Sequence, residues 1–379
     1  MKYFPLFKRN DNLVPQSQRF RYIDALRGIS IIAVVIHHAH PYFAGMTSDK
    51  LPTFFEKVLN NGDKGVTLFF LMSAFTLCLS LSNRKATEQK PVRNYFIRRF
   101  FRIAPLYYFI ILIILLVHFN SPSVSSTISN LFFLHGFNPY WINSTVPGGW
   151  SVGIESIFYL IFPFLFFNIT SAYRAINLTL IFMIVSKIAI SILFKNPMIT
   201  DYVLWRVFVY ENIISQLPVF LIGICLFQIQ SKPTLNGGSQ LYKSYIFIAT
   251  IIILDLLAGN ILKEHYLFAI AFAFLAFGLS KFQTPILVNW FTVWIGQLSY
   301  SIYLTHLIIA NLLIKFNLNH YYPDPVVDTI VRFFILFSSS ILFSYATYHI
   351  IERPFQKIGQ RLIEKLEAKK LMLTPIKVK

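Results

Sequence analysis

Apolar runs of roughly twenty residues, separated by short polar stretches, recur from one end of the chain to the other, and that is the length a transmembrane helix needs. Ten spans are expected, at 23–43, 64–82, 103–119, 151–169, 175–194, 207–229, 244–260, 265–280, 295–314 and 329–350. The segment 128–137 (ISNLFFLHGF) is apolar but too short to cross, and reads as re-entrant or interfacial. No fixed-period repeat or low-complexity tract interrupts the pattern. The expected fold is an all-α polytopic membrane helix bundle. Residues 23–350 form its transmembrane part, between a polar N-terminal segment, 1–22, and a basic C-terminal tail, 351–379.

Composition agrees. Of 379 residues, 55% are apolar, 17% aromatic and only 13% charged. Soluble proteins carry roughly 25% charged residues, and a water-soluble core stops growing beyond about 250–300 residues. Lipid is therefore the solvent, and disorder, collagen and a small disulfide scaffold are excluded. The net charge of +18 would suit nucleic acid, but the basic residues sit in short segments between the apolar runs. They read as topology signals, with no nucleic-acid partner. Segments assigned to the inner side carry 24 Lys and Arg against 7 on the outer side, so both termini are expected in the cytoplasm. The tail from Glu352 to Lys379 reads as a basic helix on the inner leaflet of the cytoplasmic membrane. Cys78 and Cys225 lie in separate apolar runs without a CxxC partner, which predicts neither a disulfide framework nor a metal site. Met1 to Tyr22 lacks the short apolar core of a cleavable signal peptide.

Ionisable groups inside the runs cost about 2.5–3.5 kcal/mol each on insertion scales, so each needs a reason. Arg27 and His38 are 11 residues apart in the first span. An α-helix turns about 1100° over that distance, close to three full turns, and rises about 16 Å. Both project from one stripe, which must face a cavity or a partner helix. His37 and His40 point away from His38. Glu155 enters the fourth span from the outer side, to a depth near that of His38, where a carboxylate would orient the imidazole and raise its basicity. Tyr159 shares the face of Glu155. In PVRNYFIRRFFRIAPLYY, Arg99 and Arg102 project from one side at the inner start of the third span, with Arg98 about 100° away. They form either ordinary positive-inside charge or a fork for phosphates. His306 shares a face with Tyr303, Glu352-Arg353-Pro354 reads as a helix-ending salt bridge, and Lys187, Glu211, Asp255 and Arg332 are left to pair among themselves. Ser30 and Ser73 have no nucleophile motif around them.

Several of these segments resemble motifs of the membrane-bound acyltransferase-3 family, which includes O-antigen, exopolysaccharide and nodulation-factor O-acetyltransferases. DALRGISIIAVVIHH is similar to its Arg-x10-His first helix, GVTLFFLMSAF to its second-span motif, and FIRRFFRIAPLYY to its Arg-x-x-Arg region. GWSVGIESIFYL resembles the Trp-Ser segment that carries the family's essential Glu, and LSYSIYLTH and YHIIERPF its late motifs. The likeness runs from about residue 20 to 358 in the expected order, with one departure, Ala74 where a glycine is common. Some relatives carry a further C-terminal hydrolase-like domain, for which no residues are expected here.

The resemblance implies an acyl-CoA donor, usually acetyl-CoA, and a carbohydrate or lipid-linked glycan acceptor. It places Arg27, His38, Glu155, Arg99 and Arg102 at functional positions. The expected mechanism has His38 as general base with Glu155, CoA phosphates near Arg99, Arg102 and Arg98, and the acceptor reaching Trp150, Tyr159 and His306 from loops 120–149 and 315–328. The competing reading of the same mid-membrane polar residues is a transporter or flippase without acyl chemistry.

Overall fold

The structure is a computed structural model that describes residues 20–40, 51–117, 122–231, 239–258 and 265–373. The N-terminal segment up to residue 19, the ends of three expected spans (41–43, 118–119 and 259–260), tail residues 374–379 and the side chain of Asp255 lie outside the described residues. The described residues form helices joined by turns and short loops, with no strand. In order the helices are α1 (Arg21–His38), α2 (Thr53–Asn60), α3 (Lys64–Arg84), α4 (Pro91–Val117), α5 (Val124–Leu131), α6 (Trp150–Asn168) and α7 (Ala172–Lys195). They continue with α8 (Tyr202–Glu211), α9 (Ile213–Gln230), α10 (Ser239–Ala258), α11 (His265–Leu279), α12 (Trp290–Lys315), α13 (Pro325–Thr347) and α14 (Arg353–Leu373).

Among the described residues, seven helical stretches are long and apolar enough to cross a membrane. The other three expected spans differ for visible reasons. The 18 residues of α1 include Arg21, Asp24 and Arg27, and the apolar helices Tyr245–Leu254 and His265–Leu279 are shorter than a crossing length. The expected span 207–229 is two helices. The chain breaks at Asn212, whose backbone is extended and whose side chain accepts hydrogen bonds from the Ile214 and Ser215 amides to cap α9. Segment 128–137 holds only the end of the eight-residue α5 and a tight turn.

At the centre, α1 packs between α3 and α12. A Cβ on Gly28 would lie 2.0 Å from the Thr292 carbonyl oxygen of α12, and one on Gly296 would lie 1.8 Å from the Asp24 carbonyl oxygen of α1. The two helices therefore touch backbone to backbone, as small residues permit in membranes. Ala74, the departure noted above, is fully buried, and its methyl faces Gly223 of α9 across the α3–α9 contact, so the partner helix supplies the missing space. Stacked rings of Phe70, Phe158 and Phe220 fill the core between α3, α6 and α9. On α4 and α7 the apolar side chains Leu116, Ile184 and Ile188 point outward, as lipid-facing surfaces do.

Two ionic expectations are corrected. Arg332 pairs with Asp328 on its own helix and donates to the Ala39 and Asn319 carbonyls, closing the end of the bundle at α1. Glu352 lies buried on a π-helical turn and accepts from Ser301 and Gln356 rather than pairing with Arg353, because that turn carries the carboxylate inward toward α12. Helix α14 is docked on α4: Glu367 accepts from Arg93 at 2.9 Å and from the Gln89 amide at 2.8 Å. Cys78 and Cys225 are buried free thiols.

Gly296→Val should destabilise the fold by at least about 1–3 kcal/mol, the usual cost of overpacking. Thermal unfolding of the detergent-solubilised protein, followed by loss of the monodisperse peak, is expected to show a lowered midpoint or no folded material. A midpoint equal to the parent would contradict the backbone contact.

Candidate active site

Five helices, α1, α3, α4, α6 and α12, build a cavity of about 280 Å³ at the end of the bundle where α1 begins. Its walls carry Asp24 and Arg27 of α1, Ser73 of α3, Arg99 and Arg102 of α4, and Glu155 and Tyr159 of α6. Arg27, Arg99 and Arg102 make no hydrogen bond or ion pair among the described residues, and the buried Nε of Arg99 has no partner. Arg27 lies within electrostatic reach of Asp24, Glu155, Glu352 and Arg102. One oxygen of Glu155 accepts from the hydroxyls of both Ser73 and Tyr159, the latter at 2.6 Å. The Arg99 guanidinium sits 5.7 Å over the Tyr159 ring. Three uncommitted guanidiniums against one carboxylate and Asp24 suit a polyanionic ligand. Arg98 is turned aside as its 100° offset predicts, and forms a two-pronged pair with Glu88 at 2.7 and 3.2 Å.

A second cavity, about 690 Å³, opens from the other end of the same helices. His37 and His38 of α1, Trp150 of α6, Glu211 of α8 and Tyr303 of α12 are among its walls. The two cavities share Val66 and Tyr303. The Tyr303 hydroxyl donates to the Gly148 carbonyl at 3.1 Å and accepts from Ser151 at 2.8 Å, which holds the ring between them.

His38 is oriented by backbone and by His306. Its Nδ1 faces the Val34 carbonyl at 2.8 Å, so that nitrogen carries the proton and the lone pair is on Nε2. In His306, which is fully buried, Nδ1 faces the Tyr303 and Ile302 carbonyls at 2.7 and 3.1 Å. Its Nε2 lone pair therefore points at His38 Nδ1, 3.3 Å away. Glu155 bonds to Ser73 and Tyr159, not to His38. Depth along the membrane normal is similar for two residues on different helices without their facing each other, and the imidazole's partner is another imidazole.

The expected site residues thus fall into two groups. Arg27, Arg99, Arg102, Glu155 and Tyr159 share the first cavity, and His38 and Trp150 share the second, with His306 behind them and Arg98 outside both. His37 lines the second cavity as well, its Nδ1 2.9 Å from the Leu59 carbonyl. Sequence reasoning did not single out Asp24, gave Ser73 no role, and read Glu211 as an ion-pair partner inside one long span rather than as the end of a separate α8. Ser73 had a usable signal in GVTLFFLMSAF. Of the loops expected to meet an acceptor, 120–149 contributes Gly148, whereas 315–328 lines neither cavity.

A sequence profile described as an acyltransferase domain, that of the acyltransferase-3 family, matches residues 20–349. A Staphylococcus aureus (strain COL) protein named as an inferred O-acetyltransferase is 25% identical over 378 residues, covering 90% of this chain and 58% of that one. O-acetyltransferase OatA of S. aureus (strain NCTC 8325 / PS 47) is 24% identical over 386 residues, covering 92% of this chain and 59% of the relative. Peptidoglycan O-acetyltransferase OatA of Listeria monocytogenes (serovar 1/2a, strain EGD-e) is 26% identical over 158 residues, 37% of this chain and 23% of that protein. The chain thus spans well under two thirds of the length of these relatives. No solved structure matches it.

Histidine-selective 15N NMR of the detergent-solubilised protein should show His38 protonated on Nδ1 and unprotonated on Nε2. His306→Leu is expected to broaden or shift that pair while the fold persists. A wild-type His38 protonated on Nε2 would contradict the assigned orientation.

Proposed function

The chain belongs to the acyltransferase-3 family, and on that premise we propose that it is a multi-pass O-acyltransferase of the cytoplasmic membrane. It moves an acetyl group from cytoplasmic acetyl-CoA to a hydroxyl of a cell-surface carbohydrate or its lipid-linked precursor. The observation that carries this reading is the pair of cavities meeting at Val66 and Tyr303, one lined by unpaired guanidiniums and the other by His38. The excess of basic residues in the segments at the guanidinium end supports a cytoplasmic position for that end, with the His38 end outside.

Nucleotide phosphates stay at the inner face, held by Arg99 and Arg102, with Arg98 flanking through its pair with Glu88. The pantetheine arm runs past Arg27 toward Tyr303. Arg27 stands about 16 Å below His38 on the same helix, too far to meet charge developing beside the imidazole, so its place is with the donor. Glu155 holds Ser73 and, through Tyr159, the surface beneath Arg99, and keeps the arginines from repelling one another. In the outer cavity His38 Nε2 takes the acceptor hydroxyl's proton as the oxygen attacks the thioester carbonyl. The C–S bond breaks, the new ester leaves, and the proton passes from His38 to the CoA thiolate. His306 keeps the proton on His38 Nδ1 and so the lone pair on Nε2.

His38→Ala should lower acetyl transfer in proteoliposomes by at least about 100-fold, the low end of general-base catalysis, with folding retained. Turnover at the wild-type rate would remove His38 from the mechanism. Arg99→Ala with Arg102→Ala should weaken CoA binding by roughly tenfold or more, since charge-assisted hydrogen bonds contribute about 1.5–3 kcal/mol each. Arg98→Ala should change it far less. Equal effects from the two variants in a CoA-binding titration would contradict the separate placement of Arg98.

A further inference from the structure

We infer that α8 forms one wall of the acceptor subsite, with Glu211, held in place by Asn143, accepting a hydrogen bond from a sugar ring and Trp150 as the surface on which that ring lies. This rests on the acyl-transfer reading, and adds to it where the acceptor binds and what class of molecule fits. The cavity holding His38 measures about 690 Å³, more than twice the arginine cavity and within the usual range for organic ligands. Any hydroxyl that gives its proton to His38 must enter there.

Helix α8 exists as a separate element because the chain breaks at Asn212, and the break leaves Glu211 at its last position, facing the cavity. Asn143 donates to Glu211 Oε2 at 2.7 Å. The other carboxylate oxygen makes no hydrogen bond among the described residues, and the buried Asn143 Oδ1 has no partner there either. A carboxylate oxygen that faces a cavity without a donor is one that a ligand hydroxyl or amide hydrogen can satisfy. The remaining wall mixes aromatic and aliphatic side chains with Arg206, Thr67 and Gln216, and its aromatic part is fixed: Trp150 stands edge-on to Phe70, with ring centroids 5.7 Å apart at 89°. The nearby carboxylate of Asp63 is already neutralised by Lys64 at 2.6 Å, and Lys64 also lies 5.6 Å from the Tyr210 ring. The groups left to a ligand are the Glu211 oxygen, the His38 base, the exposed Arg206 guanidinium and an aromatic face. Together they match a polyhydroxylated ring, whose hydroxyls donate at its edge and whose C–H face lies flat on an aromatic surface.

The test compares the full-length wild type with Glu211→Gln, Trp150→Ala and Val207→Trp, the last filling the cavity from α8 while leaving the Glu211 carboxylate in the chain. Two quantities are read in each: alkali-labile acetyl on envelope glycans of expressing cells, by mass spectrometry, and affinity of the purified protein for coenzyme A. The expected result is at least a tenfold loss of glycan acetyl in all three variants, with coenzyme A affinity within about twofold of wild type. Wild-type acetylation in Val207→Trp would overturn the location, and wild-type acetylation in Glu211→Gln and Trp150→Ala would overturn the assigned contacts. Should Glu211→Gln lose coenzyme A affinity through misfolding, Val207→Trp decides. A wild-type protein that neither binds coenzyme A nor alters any glycan would end the acyl-transfer reading itself, and this inference with it.

Discussion

The backbone contact between α1 and α12 is the constraint on which the rest depends. Gly28 and Gly296 leave no room for a side chain between the helices, so neither can slide or rotate against the other without a clash. With that crossing set, His38 and His306 meet at 3.3 Å one way along the pair, and Arg27 is carried to the opposite end. Lipid makes this contact consequential. A polar group on either helix must find a partner or a cavity inside the bundle, because hydrocarbon offers none.

That rule yields two chemically different compartments from one pair of helices. The arginine compartment concentrates positive charge around Glu155. The other has an imidazole with its lone pair on Nε2, the Glu211 carboxylate of α8 and aromatic side chains. Val66 and Tyr303 border both. In the proposed reaction a charged nucleotide need never leave water on its side of the membrane, and only the neutral arm and its thioester enter the bundle. The hydrogen bonds of Tyr303 to Gly148 and Ser151 tie this boundary to the start of α6, the helix that also carries Glu155.

Much of the helical architecture was legible in the chain, because runs of twenty apolar residues have few alternatives to a membrane helix. The arginine cavity was partly legible too: the three-residue spacing of Arg99 and Arg102 placed both on one side and Arg98 off it, as found. The pairing of Glu155 with His38 was not. Residue spacing gives height along a helix and the face within it, but nothing about which neighbour that face meets, and the α1–α12 crossing decided that instead. The break at Asn212 was hidden because neither glycine nor proline marks it, and the asparagine acts through a cap that looks like any other polar residue inside an apolar run. His306 shares a face with Tyr303, as its spacing gives, and in the fold it is a fully buried packing residue that lines neither cavity. Its chemical interest comes only from the ring it packs against.

Sidedness is the central claim, and proteoliposomes test it most directly. Labelled acetyl-CoA is enclosed on the face that carries the α1 N-terminus and the α4 arginines, and an acceptor glycan is supplied only on the face that carries His38. Label is expected on the glycan, at a rate that falls at least about 100-fold with His38→Ala. Labelling that requires donor and acceptor on the same face would contradict the two-compartment account.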